Sequence, residues 1–134
     1  IYLQSSITNA KDLFEENYPD KKIMHIIISN YLIDGKNHFY LQDNLDCEQL
    51  NLVIQFKSIS NEIIYSLNKL LQNYQINVIK FLDGNYIKNF FNKDIEISKM
   101  AFDILNGCNE NEVMVVQKNT KKLGFFEKFF QLFS

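Results

Sequence analysis

Apolar positions recur along the chain with two different periods, and the changes of period divide it into elements. Residues 1–3 read as the end of a strand. Ser5, Ser6 and Thr8 form a polar stretch in which Thr8 or Asn9 is suited to accept the first free amide of a helix. Ala10, Leu13, Phe14 and Tyr18 then follow at helical spacing, and Pro19 ends that helix because it cannot continue the hydrogen-bond ladder. Residues 23–28 are dominated by isoleucine and read as a buried strand that continues toward Tyr31, Leu32 and Ile33. Asp34-Gly35 is a turn signal, since glycine accepts positive φ without steric cost. A short strand over residues 38–42 is expected after it. Within residues 49–57, Leu50, Leu52, Ile54 and Phe56 alternate with polar residues, apart from Val53. This is the period of a half-buried strand.

Ser60 is placed to cap the next helix, in which Ile63, Ile64, Leu67, Leu70, Leu71 and Tyr74 share one face. Residues 76–82 predict another strand, closed by Asp83-Gly84. Tyr86, Ile87, Phe90 and Phe91 then predict a short helix. Ile97, Met100, Ala101, Ile104 and Leu105 predict a second, with Gly107 in the stop position. Residues 113–116 read as a short extended piece and residues 117–122 as a polar, basic linker. The expected class is therefore α+β: a small three- to four-stranded sheet with helices on one face, followed by C-terminal helices that include an amphipathic tail. Three units follow: an α+β subdomain at 1–84, a helical extension at 85–116, and the linker with its terminal helix at 117–134.

The terminal segment carries the most distinctive chemistry. At about 100° per residue, Leu123, Phe125, Phe126, Phe129, Phe130, Leu132 and Phe133 fall in one half of the wheel, and Glu127, Lys128 and Gln131 in the other. Lys118, Lys121 and Lys122 lie just before it. Bulky aromatics opposite a charged face, with lysines alongside, form the pattern of a helix lying in a membrane interface. Lys121, Lys122, Leu123, Phe125, Phe126, Lys128, Phe129, Phe130, Leu132 and Phe133 are the residues expected to touch anionic lipid. Packing of this helix on the domain, or in a partner's groove, is the competing expectation. Half burial of these seven apolar side chains is worth on the order of 5–10 kcal/mol. Each nearby lysine adds about 1 kcal/mol at an anionic surface. Ordering the segment costs about 1–2 kcal/mol per residue, which offsets most or all of that gain. One tail is therefore a marginal anchor, and firm attachment requires several copies acting together.

Composition narrows the remaining possibilities. The 134 residues suit one compact domain, and 46% apolar residues are enough for a core. A net charge of −2 offers no footprint for nucleic acid. The chain begins at Ile1 rather than Met, as a fragment or a trimmed chain would. No secretory leader is visible, and no apolar run reaches the roughly 18–20 residues that a spanning helix needs. Cys47 and Cys108 lack metal-ligand or redox spacing, which points to free thiols in a reducing compartment. His25, Asp34 and His38 are the nearest approach to a catalytic set, but a strand histidine satisfied by backbone beside a turn aspartate is the expected reading. Asp43, Asp46 and Glu48 lack the ordered spacing of a calcium loop. With four glycines and no phosphate loop, no cofactor, metal or enzymatic activity is expected.

The segment Pro19-Asp20-Lys21-Lys22-Ile23-Met24-His25-Ile26-Ile27, followed by Tyr31-Leu32-Ile33-Asp34-Gly35, resembles the FtsA family of actin-like bacterial cell-division proteins. In that family a motif of the form I-L-H-x-I-P-x-x-Y-x-I-D-G opens the subdomain inserted into the actin fold. Here His25, Tyr31, Asp34 and Gly35 stand at its positions, while Ile28 replaces the motif's proline. The order of the following strand, helix and strand is also similar, and the likeness spans residues 1 to about 90. The terminal segment Lys121-Lys122-Leu123-Gly124-Phe125-Phe126-Glu127-Lys128-Phe129-Phe130 resembles the family's membrane-targeting helix. The D-I-G-G-G-T phosphate loops of the actin core are absent. The resemblance therefore implies a truncated or degenerate relative without ATP binding. It would be a peripheral scaffold on the cytoplasmic face of a bacterial inner membrane, with anionic lipid, divisome proteins or copies of itself as partners. The alternative is a self-contained interaction domain whose terminal helix packs on the domain or on a partner.

Overall fold

The computed structural model describes residues 2–113. The terminal segment, including all ten residues expected to touch lipid, lies outside the described residues.

The order of elements is α1 (Tyr2–Asn17), β1 (Lys21–Ile33), β2 (Lys36–His38), β3 (Leu50–Ser60), α2 (Asn61–Gln72), α3 (Gly84–Phe91) and α4 (Ile97–Leu105). The three strands form one antiparallel sheet in the order β2-β1-β3. The α+β class expected from the sequence is what the chain adopts. The long central strand β1 organises the rest. Its tip is closed by Asp34 (φ 48°) and Gly35 (φ 78°) between paired Ile33 and Lys36. Two positive φ angles in a two-residue loop match the right-handed twist of the flanking strands. Asp34 fastens this hairpin further, because its carboxylate accepts the N–H groups of Glu48 at 3.0 Å and Gln49 at 2.8 Å.

Two irregularities in β1 determine which side chains face which way. Its pairing with β3 shifts between Ile23 and His25, and again between Ile28 and Asn30. Each shift leaves one extra residue on β1, Met24 and then Ser29, so the strict alternation of faces resets twice. Ile23, Ile26, Ile28, Tyr31 and Ile33 consequently belong to one apolar cluster although their spacing is not two throughout. Leu3 and Ile7 of α1 complete that cluster, together with the alternating Leu50, Leu52, Ile54 and Phe56 of β3. Val53 is exposed, so the alternation of β3 holds through it. Phe14 of α1 stacks on Phe56 with ring centroids 4.7 Å apart.

The opposite face of β1 presents Ile27, which packs with Tyr86 and Ile87 of α3 and Met100 and Ile104 of α4. Helices thus cover both faces of β1, α1 on one and α3 with α4 on the other, instead of the single face expected. The physical reason is composition: β1 is apolar on both sides and needs two covers. The edge of β1 beyond β2 is taken by the last described residues. Ile28 donates to the carbonyl of Asn111 at 2.8 Å and Val113 to that of Ile26 at 2.8 Å, with Ile27 opposite Glu112.

Three local expectations are corrected. Residues 2–3 are helical, and Thr8 and Asn9 lie inside α1, not at its start. The spacing Leu3, Ile7, Phe14 already belongs to the helix, and Thr8 Oγ1 donates back to the carbonyl of Gln4 at 3.0 Å. The second strand runs over Lys36–His38, ahead of the expected 38–42 and sharing only His38 with it. Residues 76–82 form no strand: Ile79 is 97% exposed and Leu82 packs with the α3–α4 cluster. A short apolar run satisfies the strand pattern without guaranteeing a strand to pair with. The cap expected at Ser60 holds, since Ser60 Oγ accepts Glu62 N–H at 3.2 Å at the start of α2. Gly107 adopts φ 80° just past α4.

Candidate functional site

The densest polar chemistry among the described residues lies under the α3–α4 face. The bulge at Met24 turns His25 away from the α1 cluster and into this layer, where it is only 2% exposed. The ladder formed by Asn111 and Val113 brings Glu112, 3% exposed, to the same place. His25 Nδ1 and Glu112 Oε1 are hydrogen-bonded to each other. Nε2 of His25 accepts the backbone N–H of Asp83 at 2.9 Å. The other carboxylate oxygen, Oε2, accepts the hydroxyl of Tyr86 at 3.0 Å. That hydroxyl in turn accepts Nδ2 of Asn109 at 2.8 Å. The His25 and Tyr86 rings lie 4.7 Å apart.

This pattern fixes the proton positions. A backbone N–H can only donate, so Nε2 must present its lone pair and the imidazole proton sits on Nδ1, directed at the carboxylate. His25 is therefore neutral, and Glu112 carries a buried charge held by His25 and Tyr86. Burial pushes the Tyr86 hydroxyl well above the ordinary tyrosine range. The Asn109 hydrogen bond opposes that shift and the Glu112 charge adds to it. Tyr86 thus remains a donor throughout the ordinary pH range. No buried side-chain polar atom among the described residues lacks a partner.

A set of this kind can do little chemistry on a substrate. Both nitrogens of His25 are engaged, so it has no free lone pair for a proton or a metal. The network instead joins three remote parts of the chain. Asp83 is the N-cap of α3, its carboxylate accepting Tyr86 N–H at 2.7 Å while its own N–H is held by His25. Neighbouring Asn111 ties in the hairpin: it accepts the Tyr31 hydroxyl at 3.3 Å and donates to the carbonyl of Phe39 at 3.0 Å.

The other sequence candidates are dispersed. Asp34 is occupied by the turn it closes, and His38 is exposed at the end of β2. The expected reading of His25, satisfied in part by backbone, agrees with its bond to Asp83. Glu112, Tyr86 and Asn109 were not legible as its partners, because 87 residues separate His25 from Glu112. Of the family-motif positions, His25 joins the buried network, Tyr31 is fully buried, and Asp34 with Gly35 forms the hairpin turn. Cys47 and Cys108 are unpaired with each other. Burial, then the charges of Asp103 and Glu112, push the Cys108 thiol up, away from the reactive thiolate. Asp46, Cys47 and Glu48 line an open hollow with Asp34. Among the described residues no three His, Cys, Asp or Glu side chains are grouped to hold a metal ion, and no helix is long and apolar enough to cross a membrane.

One further surface is conspicuous. α2 contains no buried residue, although its apolar pattern is the most regular in the chain. Ile63, Leu67, Leu70 and Tyr74 are all exposed. Comparison of the chain with protein-family models, with curated proteins and with solved structures finds no match.

Proposed function

We propose that this protein is a non-catalytic, membrane-associated scaffold, holding a division assembly on the cytoplasmic face of a bacterial inner membrane as its resemblance to FtsA implies. The observation that carries the scaffold part is a contrast within one domain. The side chain best suited to catalysis, His25, is sealed and fully engaged, while a regular apolar stripe on α2 is turned outward. Chemistry is withheld from solvent and adhesive surface is offered to it, which suits a protein that binds other proteins. The membrane part rests on the sequence of residues 123–133, with phenylalanines on one side of a helical wheel and lysines nearby. The identity of the assembly rests on the motif around His25, Tyr31, Asp34 and Gly35 and on the likeness of the terminal segment.

Co-sedimentation with vesicles containing anionic lipid tests the membrane part. The full chain should pellet, and Phe126→Glu combined with Phe130→Glu should leave it in the supernatant. Equal pelleting of the two proteins would sink this reading. It would leave the second one, a self-contained interaction domain whose terminal helix packs on the domain or on a partner; the exposed stripe on α2 supplies a seat for such a helix.

A further inference from the structure

The last described residues run along β1 and stop before its edge does. Val113 donates to the carbonyl of Ile26 at 2.8 Å, and the chain there runs antiparallel to β1, toward Lys21. Among the described residues no strand pairs with residues 21–24 on that side; the Lys21 N–H makes only a turn bond to the carbonyl of Tyr18. Asn61 N–H donates to the carbonyl of Asp20 at 2.8 Å, which points Asp20 toward β3. Alternation then turns the backbone groups of Lys21 and Ile23 away from β3. An open strand edge of this kind is a template for another strand. A groove of about 860 Å³ lies along it, lined by Ile23, Met24 and Ile26 of β1, by Ile79 and Phe81, and by Val113 itself.

We infer that this groove is filled by the chain's own residues 114–117, which continue from Val113 as a fourth strand on the open edge of β1. The ladder at Val113 already sets the direction and the register. With the extra residue of the bulge at Met24 counted, Val115 falls opposite Ile23 and Gln117 opposite Lys21. These are the two positions whose backbone groups point outward. The side chains fit the same register. Glu112 turns into the α3–α4 layer and Val113 into the α1 cluster. Period two then sends Val115 to the side of Ile23, a partly buried member of that cluster. Met114 and Val116 fall on the other side, where residues 79–81 lead into Leu82 of the α3–α4 cluster. Ile79 there is an apolar side chain left 97% exposed. Met114-Val115-Val116-Gln117 is uncharged, so it passes Lys22 and Lys80 of the groove without repulsion, and the first lysine, Lys118, comes only as β1 ends. One element thus fastens both the buried network, through Glu112, and the exit of the terminal segment. That exit stands beside the exposed Lys21 and Lys22, which joins the basic linker to a basic corner of the domain. The use of that corner rests on the membrane reading; the strand does not.

Hydrogen exchange of the full chain, followed amide by amide by NMR at low concentration and without lipid, tests the strand. The Val115 and Ile23 amides should both exchange slowly. Val115→Pro removes the donor that faces Ile23 and should speed exchange at Ile23 at least roughly tenfold. Ile104 should stay protected in that variant, as the check that the domain is folded; if it does not, the two natural-chain amides decide alone. Asn119→Pro, past the end of the edge, should change neither amide. Rapid exchange at Val115 or Ile23 in the natural chain would overturn the inference. So would an Ile23 amide that stays slow in a folded Val115→Pro, because something other than residues 114–117 would then cover the edge. Protection that appears only as concentration rises would also overturn it, because the cover would be another copy. Vesicle binding plays no part in this readout, so failure of the membrane reading leaves the strand standing.

Discussion

Helices α2 and α4 look alike in sequence and meet opposite fates. Each carries apolar residues at helical spacing over about three turns. In α4, Met100 and Ile104 are buried against Ile27 of β1 and against α3. In α2, a longer helix with a side-chain cap, nothing is buried. The difference lies in what each helix can reach. α4 closes over the second apolar face of β1, which among the described residues is covered by α3 and α4. α2 leaves β3 at the end of the sheet, and none of its residues joins either cluster. Amphipathicity records that a face must be covered; the cover itself is set by position in the fold.

This contrast can be broken in several places. The largest effect should come from the polar network that locks α3 and α4 onto β1. Glu112→Ala leaves His25 Nδ1 and the Tyr86 hydroxyl without their acceptor and should cost about 3–5 kcal/mol, measured by urea unfolding. A loss near zero would mean that water replaces the carboxylate and that the network does not hold the layer. Next comes packing. Ile104→Ala should cost about 2–5 kcal/mol by the same measurement, as a cavity opens under α4.

Alkaline pH should then separate the buried core from the bare helix. An unfolded tyrosine ionises near pH 10, while burial holds Tyr31 up to about 12 and Tyr86 higher still. The folded state keeps these protons longer, so the unfolded chain gains ionisation energy first. The tyrosine contribution to stability should be constant below pH 10 and fall between about pH 10 and 12, with the urea midpoint as readout. Tyr31→Phe should flatten part of that slope. The smallest effect belongs to α2. Leu70→Ala should change the stability of the dilute monomer by no more than about 0.5 kcal/mol. A loss as large as that of Ile104→Ala would show that α2 is covered within a single copy, and the contrast would collapse.

Much of the scaffold could be read from local chemistry. Asp34-Gly35 specified a two-residue turn because few other pairs accept two positive φ angles. Ser60 specified the start of α2 because its hydroxyl reaches back to a free amide. The alternation of Leu50, Leu52, Ile54 and Phe56 specified a strand with one buried side, and all four joined one cluster. Each of these signals acts within a few residues, which is why it survives in the sequence. Where local pattern was ambiguous, it misled. Residues 76–82 had the apolar content of a strand and no strand beside them, and Thr8 had the chemistry of a cap inside a helix that began earlier.

The site depended on tertiary structure at almost every point. Sequence marked His25 as unusual in an apolar strand and gave it a backbone partner. It offered no sign of the bulge at Met24 that reverses its direction, or of Glu112, Tyr86 and Asn109 waiting on the other side. A bulge depends on how two strands settle their register, and a buried ion depends on which distant donors converge on it. Likewise, sequence alone determined that α2 would be a helix with its apolar residues on one face. Only the packed domain decided that this side would point outward, because both faces of β1 were already covered.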